Sequence, residues 1–108
     1  MRRGDLYWAR FPQPVGRRPV VLVSRDEAYS LRTRLTVVPL TTTVRGMATE
    51  VRFGPSDGLP KACVANADEL VTIPRKLLDE RIGAASRGRV KELDEALRFA
   101  LKLDPSAE

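Results

Sequence analysis

The hydrophobic pattern of this chain changes period several times, and each change marks a predicted element. Asp5-Leu6-Tyr7-Trp8-Ala9-Arg10-Phe11 is aromatic-rich and follows the turn residue Gly4, which predicts a first strand with Tyr7 and Trp8 on opposite faces. One ring then fills the core, and the other faces an interface, a shallow pocket or a stacked base. Pro12-Gln13-Pro14-Val15-Gly16 reads as a loop. It delivers Arg17 and Arg18 to Pro19-Val20-Val21-Leu22-Val23-Ser24, an aliphatic run without polar alternation that predicts a strand covered on both faces. A residue before proline is pushed toward extended backbone, and proline is tolerated where a strand starts, so Arg18 is expected at a strand mouth.

Residues 25–32 are polar and predict at most a short helical turn. Leu35-Thr36-Val37-Val38-Pro39-Leu40 predicts a third strand leading into Thr41-Thr42-Thr43, whose hydroxyls suit either a solvent edge or a phosphate. Ala48 to Phe53 alternates, with Thr49, Val51 and Phe53 on one face and Glu50 and Arg52 on the other. After a turn-rich loop at 54–61, strands at 62–67 and 70–73 flank Asp68-Glu69. Arg75 to Leu78 predicts one helical turn, and Arg81-Ile82-Gly83-Ala84 a last short strand. Ser86 can cap a terminal helix whose stripe is Val90, Leu93, Leu97, Ala100 and Leu101, with Asp94 and Arg98 at a pairing distance of one turn. Short strands broken by proline and glycine, then one helix packed on a sheet, predict a mainly β fold: a small partly open barrel with a C-terminal helix, one domain over 1–108.

Composition narrows the chemistry. The 108 residues are 43% hydrophobic and 31% charged, ordinary for a globular domain, and the formal charge of +5 favours a polyanionic partner. With no histidine and one cysteine, histidine acid–base catalysis is excluded, and neither a metal site nor a cofactor is expected. Cys63, between Ala62 and Val64, reads as a small buried residue. No apolar run is long enough to span a bilayer, and Met1-Arg2-Arg3 leads directly into strand-like sequence, which predicts a cytoplasmic protein with no membrane partner.

Five blocks in order carry a resemblance that covers nearly the whole chain. They are Arg3-Gly4-Asp5-Leu6-Tyr7-Trp8, Arg18-Pro19-Val20-Val21-Leu22-Val23-Ser24, Val37-Val38-Pro39-Leu40-Thr41, Gly58-Leu59-Pro60, and Arg81-Ile82-Gly83 with Leu93-Asp94-Glu95-Ala96-Leu97. Together they resemble the MazF/PemK toxin family, and Thr41 to Gly46 resembles its actinobacterial-type members. The resemblance implies an SH3-like barrel, a homodimer, and a metal-independent, sequence-specific endoribonuclease held in check by an antitoxin with an acidic extended segment. The catalytic pair it implies is Arg18 and Thr41, with the 2′-hydroxyl of single-stranded RNA as nucleophile and a cyclic phosphate and 5′-hydroxyl as product ends. RNA contacts are expected from Arg17, Thr42, Arg45, Asp68 and Glu69. The loop before Arg18 is shorter than usual, and Glu69-Leu70-Val71 stands where many members carry Gln-Ile-Arg. Arg17, Arg25 and Arg45 are expected to restore part of that positive surface.

The chemistry agrees with this implication. Attack by an internal hydroxyl builds charge on the phosphoryl oxygens, which a planar, permanently charged guanidinium and a fixed hydroxyl stabilise. Arginine is a poor ground-state base, so either Asp68 or Glu69 accepts the proton or the reaction relies on charge stabilisation and alignment. Without the resemblance, Arg18 is a solvated strand-end cation and Asp68-Glu69 are turn residues. Two other readings are a CcdB-like toxin that inhibits DNA gyrase without cutting RNA, and a silent RNA- or antitoxin-binding module.

Overall fold

A computed structural model describes residues 1–103. Its strands are β1 (Asp5–Arg10), β2 (Arg17–Leu22), β3 (Arg34–Thr41), β4 (Glu50–Phe53), β5 (Cys63–Asn66), β6 (Val71–Pro74) and β7 (Leu78–Ala84). The helices are α1 (Ala28–Leu31) and α2 (Arg87–Leu101), with single 3-10 turns at Pro55–Asp57, Ala67–Glu69 and Arg75–Leu77. All pairings are antiparallel, in the order β4-β5-β3-β2-β1-β7, and β6 also pairs with β3. The mainly β, partly open barrel with a C-terminal helix is the predicted architecture.

The two-sided burial predicted for β2 is realised. Val21 packs with Leu6, Val38, Phe53 and Leu93 beneath α2. Val20 and Leu22 point the other way, into a second cluster with Leu35, Val37, Tyr29 and Ile73. The strand opens at Arg17, one residue before the expected mouth, because the Arg10–Arg17 pair extends the β1–β2 ladder.

Strand β3 is the hinge of the barrel. Its first half, Arg34 to Val37, pairs with β6, whereas Leu40 and Thr41 pair with β5. The strand therefore crosses from one sheet to the other just before the threonine run.

Three further expectations change. Strand β7 begins at Leu78, three residues earlier than predicted, and carries register shifts against β1 that blur the alternation a sequence reading needs. On α2, Ser86 Oγ accepts from the Arg89 N–H as expected, but Leu93, Ala96 and Leu97 form the buried stripe and Leu101 is exposed. Asp94 pairs with Arg3 at 2.7 Å rather than with Arg98, since an N-terminal cation lies closer than the next helical turn.

Candidate active site

The β2–β3 ladder sets Val20 against Pro39, Val21 against Val38 and Leu22 against Val37. Continuing that register two steps toward the mouth puts Arg18 across from Thr41. Both are half-buried, and both line each of two adjoining cavities, of about 230 Å³ and about 350 Å³. The two residues thus form the ridge between the hollows. Among the described residues, no carboxylate comes within 4.0 Å of Arg18. Thr41 Oγ1 accepts the Thr43 N–H at 3.2 Å, which fixes the hydroxyl and leaves its proton to donate.

The smaller cavity is apolar and cationic. Trp8, Arg17, Thr42, Leu59, Pro60 and Lys61 line it, and no carboxylate does. Gly58 holds φ at +94°, a conformation that favours glycine, and this turns Leu59 and Pro60 into the wall. The Arg17 guanidinium lies 4.3 Å from the centroid of Trp8, with Asp79 at 3.6 Å and Glu80 at 3.5 Å. One face of Trp8 is therefore already covered. Arg17, expected among the RNA contacts, is partly neutralised and built into the wall.

Cys63 also borders this cavity and is buried. Burial, aided by the Asp57 carboxylate, pushes its thiol above the ordinary range, so it stays protonated and is a weak nucleophile.

The larger cavity is polar and mixed in charge, lined by Thr43, Arg45, Glu50, Asn66, Glu69 and Val71 beside the central pair. The segment after β3 is held by Glu50, whose carboxylate accepts from the backbone N–H groups of Arg45 at 3.0 Å, Gly46 at 2.7 Å and Met47 at 3.0 Å. Those bonds, the Arg45 amide first, hold the Glu50 carboxyl below its ordinary range.

Of the residues expected on RNA, Arg17 and Thr42 line the smaller cavity, and Arg45 and Glu69 the larger. Asp68 lines neither; its carboxylate lies 3.4 Å from the Thr49 hydroxyl. Arg25 also lines neither. Glu50 and Asn66 were missed. The signals were a glycine four residues before an acid, and an asparagine placed to cap Ala67-Asp68-Glu69.

The arrangement can grip one phosphodiester from two strands, with room for a nucleotide on either side. Among the described residues, no group of three or more histidine, cysteine or carboxylate side chains could hold a metal ion, and no helix is long and apolar enough to cross a membrane.

Comparison with known proteins places this geometry. A probable endoribonuclease MazF5 of Mycobacterium tuberculosis is 37% identical over 100 residues, covering 92% of this chain and 91% of the relative. Endoribonuclease MazF3 of the same species is 39% identical over 87 residues, covering 81% and 84%. Among solved structures, the M. tuberculosis toxin MazF-mt6 superposes with a TM-score of 0.86 at 35% identity, covering 93% of this chain and 98% of that one. A mycobacterial endoribonuclease in complex with its cognate antitoxin superposes with a TM-score of 0.83 at 30% identity, covering 96% and 97%. The family model described as PemK-like, MazF-like toxin of type II toxin–antitoxin system matches residues 2–101, and the chain belongs to that family.

Proposed function

We propose that this protein is the toxin of a type II toxin–antitoxin pair and an endoribonuclease that cuts single-stranded RNA at the ridge formed by Arg18 and Thr41. The observation that carries the reading is the placement of a guanidinium, paired with no carboxylate among the described residues, opposite an oriented hydroxyl and between two hollows, in a chain of this family.

The 2′-hydroxyl oxygen attacks the adjacent phosphorus and gives up its proton to water, the bond from phosphorus to the 5′-oxygen breaks, and the departing oxygen takes up a proton from water. Products end in a 2′,3′-cyclic phosphate and a 5′-hydroxyl. Arg18 donates to the non-bridging oxygens as charge builds on them, and the Thr41 proton adds a second donor. Arginine is a poor base, Glu50 is held by three amides, Asp68 lies outside both cavities, and Glu69, though on the wall of the larger one, forms no ion pair with Arg18 among the described residues, so charge stabilisation and alignment carry the rate rather than a dedicated base.

Thr42, Lys61 and Arg45 steer the RNA backbone, with a contribution from the partly neutralised Arg17. An antitoxin with an extended acidic segment fits over the same cationic cavity and silences the enzyme, as the +5 charge favours. The exposed side chains of Phe99, Leu101 and Leu103 at the end of α2 support a homodimer in which apolar surface is covered.

The test is incubation of purified protein with a single-stranded RNA in EDTA, alongside the same RNA carrying one 2′-deoxynucleotide at the cut. Cutting of the first only, with cyclic phosphate ends, is the expected result. Intact RNA in both, with loss of gyrase supercoiling, would replace the nuclease with a CcdB-like toxin. Intact RNA that is bound without cleavage would leave a silent binding module.

A further inference from the structure

The larger cavity is lined by two residues each with a polar group that neither the fold nor the cleavage step uses. The amide nitrogen of Asn66 is the first. Asn66 Oδ1 accepts from the Thr49 hydroxyl at 2.7 Å and from the Asp68 N–H at 3.0 Å. A backbone N–H can only donate, so the amide orientation is fixed and Nδ2 must be the free end. That Nδ2 has a thioether for a partner, Met47 Sδ at 3.7 Å, a weak acceptor on an exposed side chain. A preset N–H donor is therefore presented at the cavity wall.

Glu69 is the second. It is exposed and lines the same cavity, and among the described residues it has no cation within 4.0 Å. A carboxylate beside bound RNA repels phosphate and takes donors, which RNA offers from its base edges and its ribose 2′-hydroxyls. Glu50, the other acid here, is already occupied by backbone amides.

We infer that Asn66 and Glu69 are a base-reading pair that sets nucleotide preference at the position next to the cut; the inference rests on the nuclease reading. The pair offers one donor and one acceptor to the pairing edge of an unstacked base. All four bases place a donor beside an acceptor on that edge, but adenine, cytosine and guanine carry an exocyclic amino group at its end, which a carboxylate reaches without facing a carbonyl. Uracil has a single ring N–H between two carbonyl oxygens, so a carboxylate reaching it meets a carbonyl. The subsite therefore favours amino-bearing bases and disfavours uracil.

Asn66→Asp separates reading from structure. The aspartate keeps an oxygen acceptor for Thr49 and for the Asp68 amide, and caps as well as asparagine, but loses the N–H donor. Glu69→Gln removes the charge from a side chain that holds no backbone group and adds a donor that uracil can accept. The experiment is cleavage of a single-stranded RNA library randomised around one site, with the cut ends sequenced, for the wild type and both variants.

At one position beside the cut, the wild type is expected to disfavour uracil by roughly tenfold or more. Glu69→Gln erases most of that discrimination at that position alone, and Asn66→Asp re-ranks it toward guanine, which offers two adjacent donors. The melting temperature of Asn66→Asp stays near that of the wild type; if that variant fails to fold, Glu69→Gln carries the test. Unchanged base ranking at every position overturns the pairing, even if cutting slows uniformly, since a uniform loss is what a general base or a structural role produces. A wild type that cuts every sequence equally overturns it as well. A wild type that cuts nothing overturns the nuclease reading and this pair with it.

Discussion

Three consecutive amides converging on one carboxylate give the loop after β3 a shape that an isolated peptide would not hold. The Glu50 carboxyl is stabilised as the anion by the Arg45, Met47 and Gly46 N–H groups, so its folded value lies below the ordinary 4.5. The sign follows from that depression. Its contribution to folding is fully present above pH 4.5 and is lost as pH falls through the lower folded value. The amide proton resonances of Arg45, Gly46 and Met47 should therefore titrate together with a midpoint below 4.5, and Glu50→Gln should abolish that titration. A midpoint at or above the ordinary value would mean that the carboxylate does not hold the loop. The adjacent arginines differ through their partners in the same residue-level way: Arg17 meets Trp8, Asp79 and Glu80, whereas among the described residues no carboxylate pairs with Arg18.

Much of the element order could be read from the sequence, because period and punctuation are local properties. The aliphatic run of β2, the alternation of β4 and the serine cap of α2 each state their environment in their own residues. What lay beyond reach depended on distant chain. The early start of β7 comes from its irregular ladder with β1, and Asp94 chose Arg3 across more than ninety positions of sequence rather than its own helix. The proposed catalytic pair was read through resemblance. Its placement across two strands follows from register, whereas Asn66 and Glu50 matter through hydrogen bonds that no spacing announces. The shifted stripe of α2 makes a sharp prediction. Leu93, fully buried beneath the sheet, should cost about 2–5 kcal/mol when replaced by alanine. Leu101, half exposed, should cost within about 0.5 kcal/mol in the monomer. Urea unfolding of both variants checks this, and equal losses would refute the assigned face.

At the scale of the whole molecule, β3 joins two hydrophobic clusters and ends between two cavities of different character. One hollow is apolar and cationic, suited to a nucleotide held by shape and charge; the other is polar and suited to reading an edge. The proposed chemistry lies at the ridge between them and depends on Arg18 and Thr41 acting on a single phosphate. The most direct test is the single-turnover cutting rate of a defined RNA in EDTA for the wild type, Arg18→Ala and Thr41→Val, with melting curves to show that each variant folds. Removal of a donor of this kind should slow cutting by about 10²–10³-fold in the arginine variant, and by a clear margin in the threonine variant. Wild-type rates from either folded variant would contradict the account.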